Sequence, residues 1–234
     1  MKAAMKYVLD IFKAHQKYTK KTIDYLKIQG LRPDPIRESL ESETISKYNF
    51  KSGMISDRAQ CDLLENMLRF ANAKSCIEVG VFTGASALSI ARGIGPDGKL
   101  LALELDGGFI GTAKKYWAEA GVDGRIEVIL GPALENLDKL IAQGKEGTFD
   151  FAYIDANKEQ YTEYYKRAFK LIRIGGMIAL DNVLLANSVA DYDIKHAMPV
   201  ALRELNKIVI NDPKVRNVIL PIADGINFVT KIAN

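Results

Sequence analysis

From Asp57 onward, short apolar runs of β-forming residues alternate with stretches of helical periodicity. This alternation limits the possible fold more than any other feature of the 234-residue chain. The runs are Ser75–Val79, Lys99–Leu105, Arg125–Leu130, Phe149–Ile154 and Met177–Leu180. Helical patterning covers 57–71 before them and 85–93, 108–120, 133–143 and 158–172 among them. Strands alternating with helices imply a parallel sheet covered by helices on both faces. A further helix runs from 195 to 210. Two last strands, Asn217–Pro221 and Ile226–Lys231, are joined by Ala223, Asp224 and Gly225, which suits an antiparallel hairpin. The expected class is α/β with a seven-stranded, mostly parallel sheet.

The segment before Asp57 reads differently. Its first 28 residues hold seven lysines and two aspartates. Met5, Val8, Leu9 and Phe12, then Ile23 and Leu26, fit an amphipathic helix broken in two. Its lysines suit a solvated face better than a membrane contact. Gln29 and Gly30 end it, Pro33 and Pro35 mark a linker, and 36–48 reads as a short acidic helix. The expected organisation is a helical appendage over 1–55, packing on the core or on a dimer partner, and a main domain over 56–234.

Composition excludes several classes. Thirty-two Lys and Arg against 29 Asp and Glu leave a net charge of +3, too small to argue for nucleic acid. Two cysteines, Cys61 and Cys76, make neither a disulfide scaffold nor a zinc site. Two histidines, His15 and His196, exclude a histidine-rich metal cluster. No apolar run reaches the roughly 18–20 residues of a membrane span. The first residues lack the apolar core and cleavage site of a secretory signal. A cytoplasmic protein with no nucleic-acid or membrane partner is expected.

In an open parallel sheet, ligands bind beyond the carboxyl ends of the strands. The first strand runs into Glu78-Val79-Gly80-Val81-Phe82-Thr83-Gly84, which is not the G-x-G-x-x-G dinucleotide fingerprint. Gly80 and Gly84 allow close backbone approach. Glu78 would repel a pyrophosphate but suits a cationic ligand such as S-adenosylmethionine. Glu104, at the end of the second strand, is placed for ribose hydroxyls; otherwise it is an acid near a helix N-terminus. Ser86 is either a helix cap or a contact for the amino-acid end of the cofactor.

At the other side, Asp155 follows the fourth strand and Asp181-Asn182 the fifth. If those strands are neighbours, two carboxylates and an amide oxygen emerge together, about 4.8 Å apart in strand spacing. Like charges so close favour a cation between them. Hard oxygens select Mg²⁺, Ca²⁺ or Mn²⁺. The bland alternatives are a cap at Asp155 and turn residues at 181–182. Lys158, three residues beyond Asp155, is within reach of the same site as a general base; alone it would be solvated surface.

The stretches EVGVFTGASALSIA, GPALENLDKL, GTFDFAYIDANKEQYTEYYKRAFKLIRIGGMIALDNVL and LPIADGINFV, in this order, resemble the cation-dependent O-methyltransferases of the caffeoyl-CoA and catechol type, bacterial members included. The resemblance covers residues 50–234. It implies a Rossmann-like methyltransferase fold, S-adenosylmethionine as methyl donor, a divalent cation with Mg²⁺ foremost, and a homodimer. By the same resemblance Asp155, Asp181 and Asn182 are metal ligands and Lys158 the base. Glu78, Gly80 and Ser86 line the methionine part of the cofactor, and Asp155 lies against it as well. Glu104 meets the ribose, Ala133 lies beside the adenine, and Met54 sits near the reacting methyl. The implied reaction is in-line attack of a metal-bound phenolate, from a vicinal dihydroxy aromatic, on the sulfonium methyl.

Departures from the family pattern concentrate where the acceptor would sit. Ala85 stands where a Tyr is frequent, Leu185 where an aromatic is common, and Ala186-Asn187-Ser188 where a His-Gly-Arg-like stretch is frequent. Segment 53–64 departs from the usual form as well. His196 is expected at the surface or as a cap. Trp117, Tyr161, Tyr164 and Tyr165 are expected in packing. Competing functions are an NAD-dependent oxidoreductase, a non-catalytic methyltransferase-like binding module, and a metal-independent methyltransferase with another acceptor.

Overall fold

The computed structural model describes residues 19–234. The first part of the expected amphipathic helix, residues 5–12, and His15 lie outside the described residues. The described residues divide into two units, one ending at Asp34 and one spanning Pro35–Asn234. In the first, helix α1 (Lys20–Gly30) is capped by Thr19, whose hydroxyl accepts from the Thr22 amide at 3.2 Å. It ends at the glycine where the sequence pattern ends. None of its residues is buried.

The second unit begins at Pro35, so the boundary lies some way before the one expected at 55/56. Helix α2 (Pro35–Tyr48) looks solvated because it carries several glutamates, yet Arg37, Leu40 and Thr44 fall on one helical face and are buried. Leu40 joins the same core cluster as Leu64 and Leu88. A 3₁₀ turn (Asn49–Met54) leads to α3 (Arg58–Phe70), capped by Asp57, whose Oδ1 accepts from the amides of Ala59 and Gln60 at 2.8 and 3.2 Å.

The sheet then alternates with helices as expected: β1 (Ser75–Val79), α4 (Ala85–Gly93), β2 (Lys99–Glu104), α5 (Ile110–Glu119), β3 (Ile126–Leu130), α6 (Ala133–Ala142), β4 (Phe149–Ile154), α7 (Tyr161–Leu171), β5 (Ile172–Leu180), α8 (Ala197–Asn211), β6 (Val215–Leu220) and β7 (Ile226–Lys231). Strand order is β3-β2-β1-β4-β5-β7-β6, with β7 antiparallel to both neighbours. Strand β5 starts earlier than expected. Gly175 and Gly176 look like a chain break, but they sit within the strand, where a register shift against β4 leaves no room for a Cβ at Gly176, 2.8 Å from the Asp150 carbonyl.

The period of two along each strand divides the core. Cys76, Phe151, Tyr153 and Ala179 face one cluster, which α3, α4 and α5 cover. Ile77, Val79, Ala152, Ile154 and Leu180 face the other, under α6, α7 and α8. The strand order reverses between β1 and β4, so the carboxyl ends of β1, β4 and β5 form the crevice where such sheets bind ligands.

Candidate active site

Three backbone hydrogen bonds align the strand ends. Gly80 N–H donates to Leu103 O (2.9 Å), Asp155 N–H to Val79 O (2.8 Å) and Asp181 N–H to Ile154 O (3.0 Å). The loop after β1 therefore lies against the start of the β4 loop. A Cβ on Gly80 would stand 2.0 Å from the Asp155 carbonyl oxygen, and its φ is +90°. Only glycine fits there.

Glu78 is completely buried, and neither carboxylate oxygen has a hydrogen-bond partner. Burial pushes its pKa up to about 8; the Ser86 hydroxyl opposes this, while Asp155 and Glu104 add to it. A buried carboxylate without partners fits a cationic ligand, since an ion placed beside it would restore the charged form. Ser86 is buried in the first turn of α4, whose cap position is Gly84, so the cap alternative for Ser86 falls away. Trp117 Nε1 donates to the Gly84 carbonyl at 3.0 Å and holds that corner of the loop.

Glu104 is not a helix-terminal acid. Its Oε2 accepts from the amides of Val81 and Phe82, both at 2.8 Å, and its Oε1 from Asp106 N–H at 2.9 Å. It ties the loop after β1 to the end of β2. Oε1 takes one protein donor, so it keeps capacity to accept from a hydroxyl. Ala133 begins α6, beside Gly131, whose amide donates to the Glu104 carbonyl at 2.9 Å. Met54 lies at the end of the 3₁₀ turn, half exposed.

Strands β4 and β5 are neighbours, with Ile154 paired to Leu180, so Asp155 and Asp181 leave adjacent strand ends. Asp181 is 2% exposed. Burial, reinforced by the charge of Asp155, shifts its pKa upward. Asp181 Oδ2 accepts from Gln60 Nε2 (2.8 Å) and Tyr153 OH (2.5 Å), and its Oδ1 from Asn182 N–H (2.6 Å). Asn182 has φ +54°, a left-handed conformation that Asn tolerates better than most residues. Asp155 is no cap: that position belongs to Asn157, whose side chain accepts from Glu159 N–H. Asp155 Oδ1 instead meets Lys158 Nζ at 2.7 Å, and the same ammonium donates to Tyr161 OH at 2.7 Å. Asp155 and the Asp181-Asn182 pair leave adjacent strand ends, and carboxylate and amide oxygens are hard donors of the kind Mg²⁺, Mn²⁺ or Ca²⁺ accept. No group of three or more His, Cys, Asp or Glu that could hold a metal converges among the described residues.

Sequence reasoning missed Gln60 and Tyr153 and left Tyr161 to packing. Tyr161 is buried, but its hydroxyl also touches Lys158, three residues away. That helical spacing was the available signal. His196 stands exposed at the cap position of α8 without a side-chain cap bond. Cys61 and Cys76 are buried free thiols. Trp117, Tyr164 and Tyr165 are buried in the core. No helix of the described residues is long and apolar enough to cross a membrane.

The family model described as O-methyltransferase matches residues 29–232. Over 180 residues the chain is 43% identical to a probable caffeoyl-CoA O-methyltransferase of Dictyostelium discoideum, covering 76% of this chain and 78% of that one. Over 208 residues it is 35% identical to the mouse (Mus musculus) catechol O-methyltransferase domain-containing protein 1, covering 89% and 79%. The crystal structure of the O-methyltransferase TomG from Streptomyces achromogenes, in complex with S-adenosylmethionine, superposes with a TM-score of 0.81 at 27% identity, covering 89% of this chain and 95% of that one. With that glycine loop and those strand-end acids on this sheet, the chain belongs to the O-methyltransferase family of the caffeoyl-CoA and catechol type and is an S-adenosylmethionine-dependent O-methyltransferase.

Proposed function

We propose that this enzyme methylates one hydroxyl of a small vicinal dihydroxy aromatic, with a divalent cation at Asp155, Asp181 and Asn182 and Lys158 as base. The observation that carries this reading is the meeting of Asp155 and Asp181 at adjacent strand ends, with Lys158 Nζ 2.7 Å from Asp155. The names of the relatives, caffeoyl-CoA and catechol O-methyltransferases, support the acceptor class.

Each residue then has a task. Glu78, with Gly80 and Ser86 beside it, holds the cationic methionine end of the donor. Glu104 accepts from the ribose hydroxyls, Ala133 borders the adenine, and Met54 lies near the transferred methyl. Asp155 joins the donor side of the site to the metal side. Lys158 takes the proton of the attacking hydroxyl; Tyr161 OH and Asp155 fix the direction of its nitrogen. Bound S-adenosylmethionine supplies a methyl group on a sulfonium leaving group. A bound cation of the Mg²⁺ type supplies Lewis acidity and positions for two neighbouring oxygens. The chain's own contribution is placement and charge, without a covalent enzyme intermediate. A homodimer in the cytoplasm remains the expected setting.

Acceptor geometry provides the test. Methyl transfer should proceed on catechol and fall by about 10²-fold or more on resorcinol, whose hydroxyls are too far apart for one cation. Equal rates on the two isomers would contradict a chelated acceptor.

A further inference from the structure

Asp181 carries more hydrogen bonds than its place at a strand end requires, and they are unevenly shared. Oδ2 accepts two strong ones, from Gln60 Nε2 at 2.8 Å and Tyr153 OH at 2.5 Å. Oδ1 accepts only from the adjacent Asn182 amide. A carboxylate oxygen offers about two lone-pair sites, so Oδ2 is saturated and Oδ1 is the atom left to face a ligand.

The donors are themselves fixed. Tyr153 is two residues before Asp155 on β4, so its side chain shares the sheet face that α3 covers. Gln60 Nε2 also donates to Tyr153 OH at 2.8 Å, closing a triangle of three hydrogen bonds. Gln60 sits in the first turn of α3, where Asp57 accepts from its amide. The residue before that cap, Ser56, has its carbonyl held by buried Arg37 at 2.8 Å. Gln60 is 1% exposed, and its Oε1 has no hydrogen-bond partner. An unpaired buried amide oxygen is destabilising, so an apolar residue would serve packing better. The residue suits a task at Asp181.

A one-oxygen carboxylate fits the octahedral shell of Mg²⁺ or Mn²⁺, whereas Ca²⁺ takes six to eight oxygens, often through both atoms of a carboxylate. We propose that Gln60 and Tyr153 are positioning residues that lock Asp181 into one-oxygen presentation and so set a preference for a small six-coordinate cation over Ca²⁺. The inference rests on the proposed cation site.

The test is Mn²⁺ binding to the full chain, followed by electron paramagnetic resonance of free Mn²⁺, with Mg²⁺ and Ca²⁺ as competitors. Gln60→Met and Tyr153→Phe are compared with the wild type. Gln60→Met also removes the orphaned oxygen, so it should fold. S-adenosylhomocysteine affinity is measured alongside and should stay within about twofold, while each variant loses about 10–100-fold in Mn²⁺ affinity. Its Mg²⁺-over-Ca²⁺ preference should narrow, which a purely structural role would not produce. Folded variants that keep wild-type Mn²⁺ affinity, or lose affinity with an unchanged Mg²⁺-to-Ca²⁺ ratio, would overturn the inference alone. A wild type that binds no Mn²⁺ would overturn the cation reading and this inference together.

Discussion

Glu78 is the residue whose environment is most at odds with its charge. It is fully buried, unpartnered, and pushed up to about 8 chiefly by burial. A carboxyl whose folded pKa exceeds its unfolded value binds a proton on folding. Its contribution to stability is therefore most favourable below about pH 4.3 and is lost as pH rises through 8. Glu78→Gln should accordingly raise the melting temperature of the cofactor-free protein at pH 8, with the gain shrinking toward pH 4.5. The same variant should bind S-adenosylmethionine at least about tenfold more weakly, because the buried carboxylate proposed to hold the cationic methionine end is gone. Thermal melts across pH and calorimetric titration check both; a Gln variant with no gain at pH 8 and full affinity would sink the assignment. Glu78, Asp155 and Asp181 were legible in sequence because they fall at or just past strands whose ends were well marked. Gln60 was not, since its partner Asp181 lies 121 residues away and only the packing of α3 on the sheet brings them together.

At the scale of elements, the segment after β5 has the most unusual backbone. Asn182, Leu185, Ala186 and Asn187 all have positive φ, between +41° and +66°. For residues with a Cβ this is costly, about 1–3 kcal/mol each in unfavourable cases, and it persists only where surroundings enforce it. The enforcement is visible. Asp224, in the β6–β7 hairpin, accepts from Ala186 N–H at 2.6 Å and from Leu184 N–H at 3.1 Å. Arg203 of α8 donates to the carbonyls of Ser188, Val189, Asp191 and Ile194, and Tyr192 lies 5.0 Å from its guanidinium. The hairpin turn was read from Ala223-Asp224-Gly225, but its hold on this loop was not, because the two meet only in space. The sequence likewise gave no clear sign that α2 buries Arg37, Leu40 and Thr44, since two of the three are polar and three glutamates lie among them. The loop contains the departures at Leu185 and Ala186-Asn187-Ser188, where the acceptor is expected. Arg203→Ala should speed amide exchange over 188–194 while the sheet stays protected. Acceptor kcat/KM should fall about tenfold, with cofactor affinity unchanged, if each lost charged hydrogen bond contributes about 1.5 kcal/mol or more. Unchanged exchange in that segment would refute the staple.

For the whole molecule, the sheet order places β1 and β4 at the centre, and the strand-end hydrogen bonds bring Gly80, Asp155 and Asp181 into one row. In the proposed function the donor half of the site lies on the β1 and β2 side, the cation half on the β4 and β5 side, and Asp155 between them. Strand and helix order could be read in advance because periodicity switches sharply between two and 3.6 along the chain. The boundary of the compact unit could not, because burial of α2 depends on tertiary packing. The arrangement as a whole claims that methyl transfer depends on a cation held by Asp155, Asp181 and Asn182. The most direct measurement is the rate of methyl transfer from labelled S-adenosylmethionine to catechol, before and after excess EDTA and after Mg²⁺ is restored. The account predicts a fall of about 10²-fold or more with EDTA and recovery with Mg²⁺. A rate untouched by EDTA would contradict it.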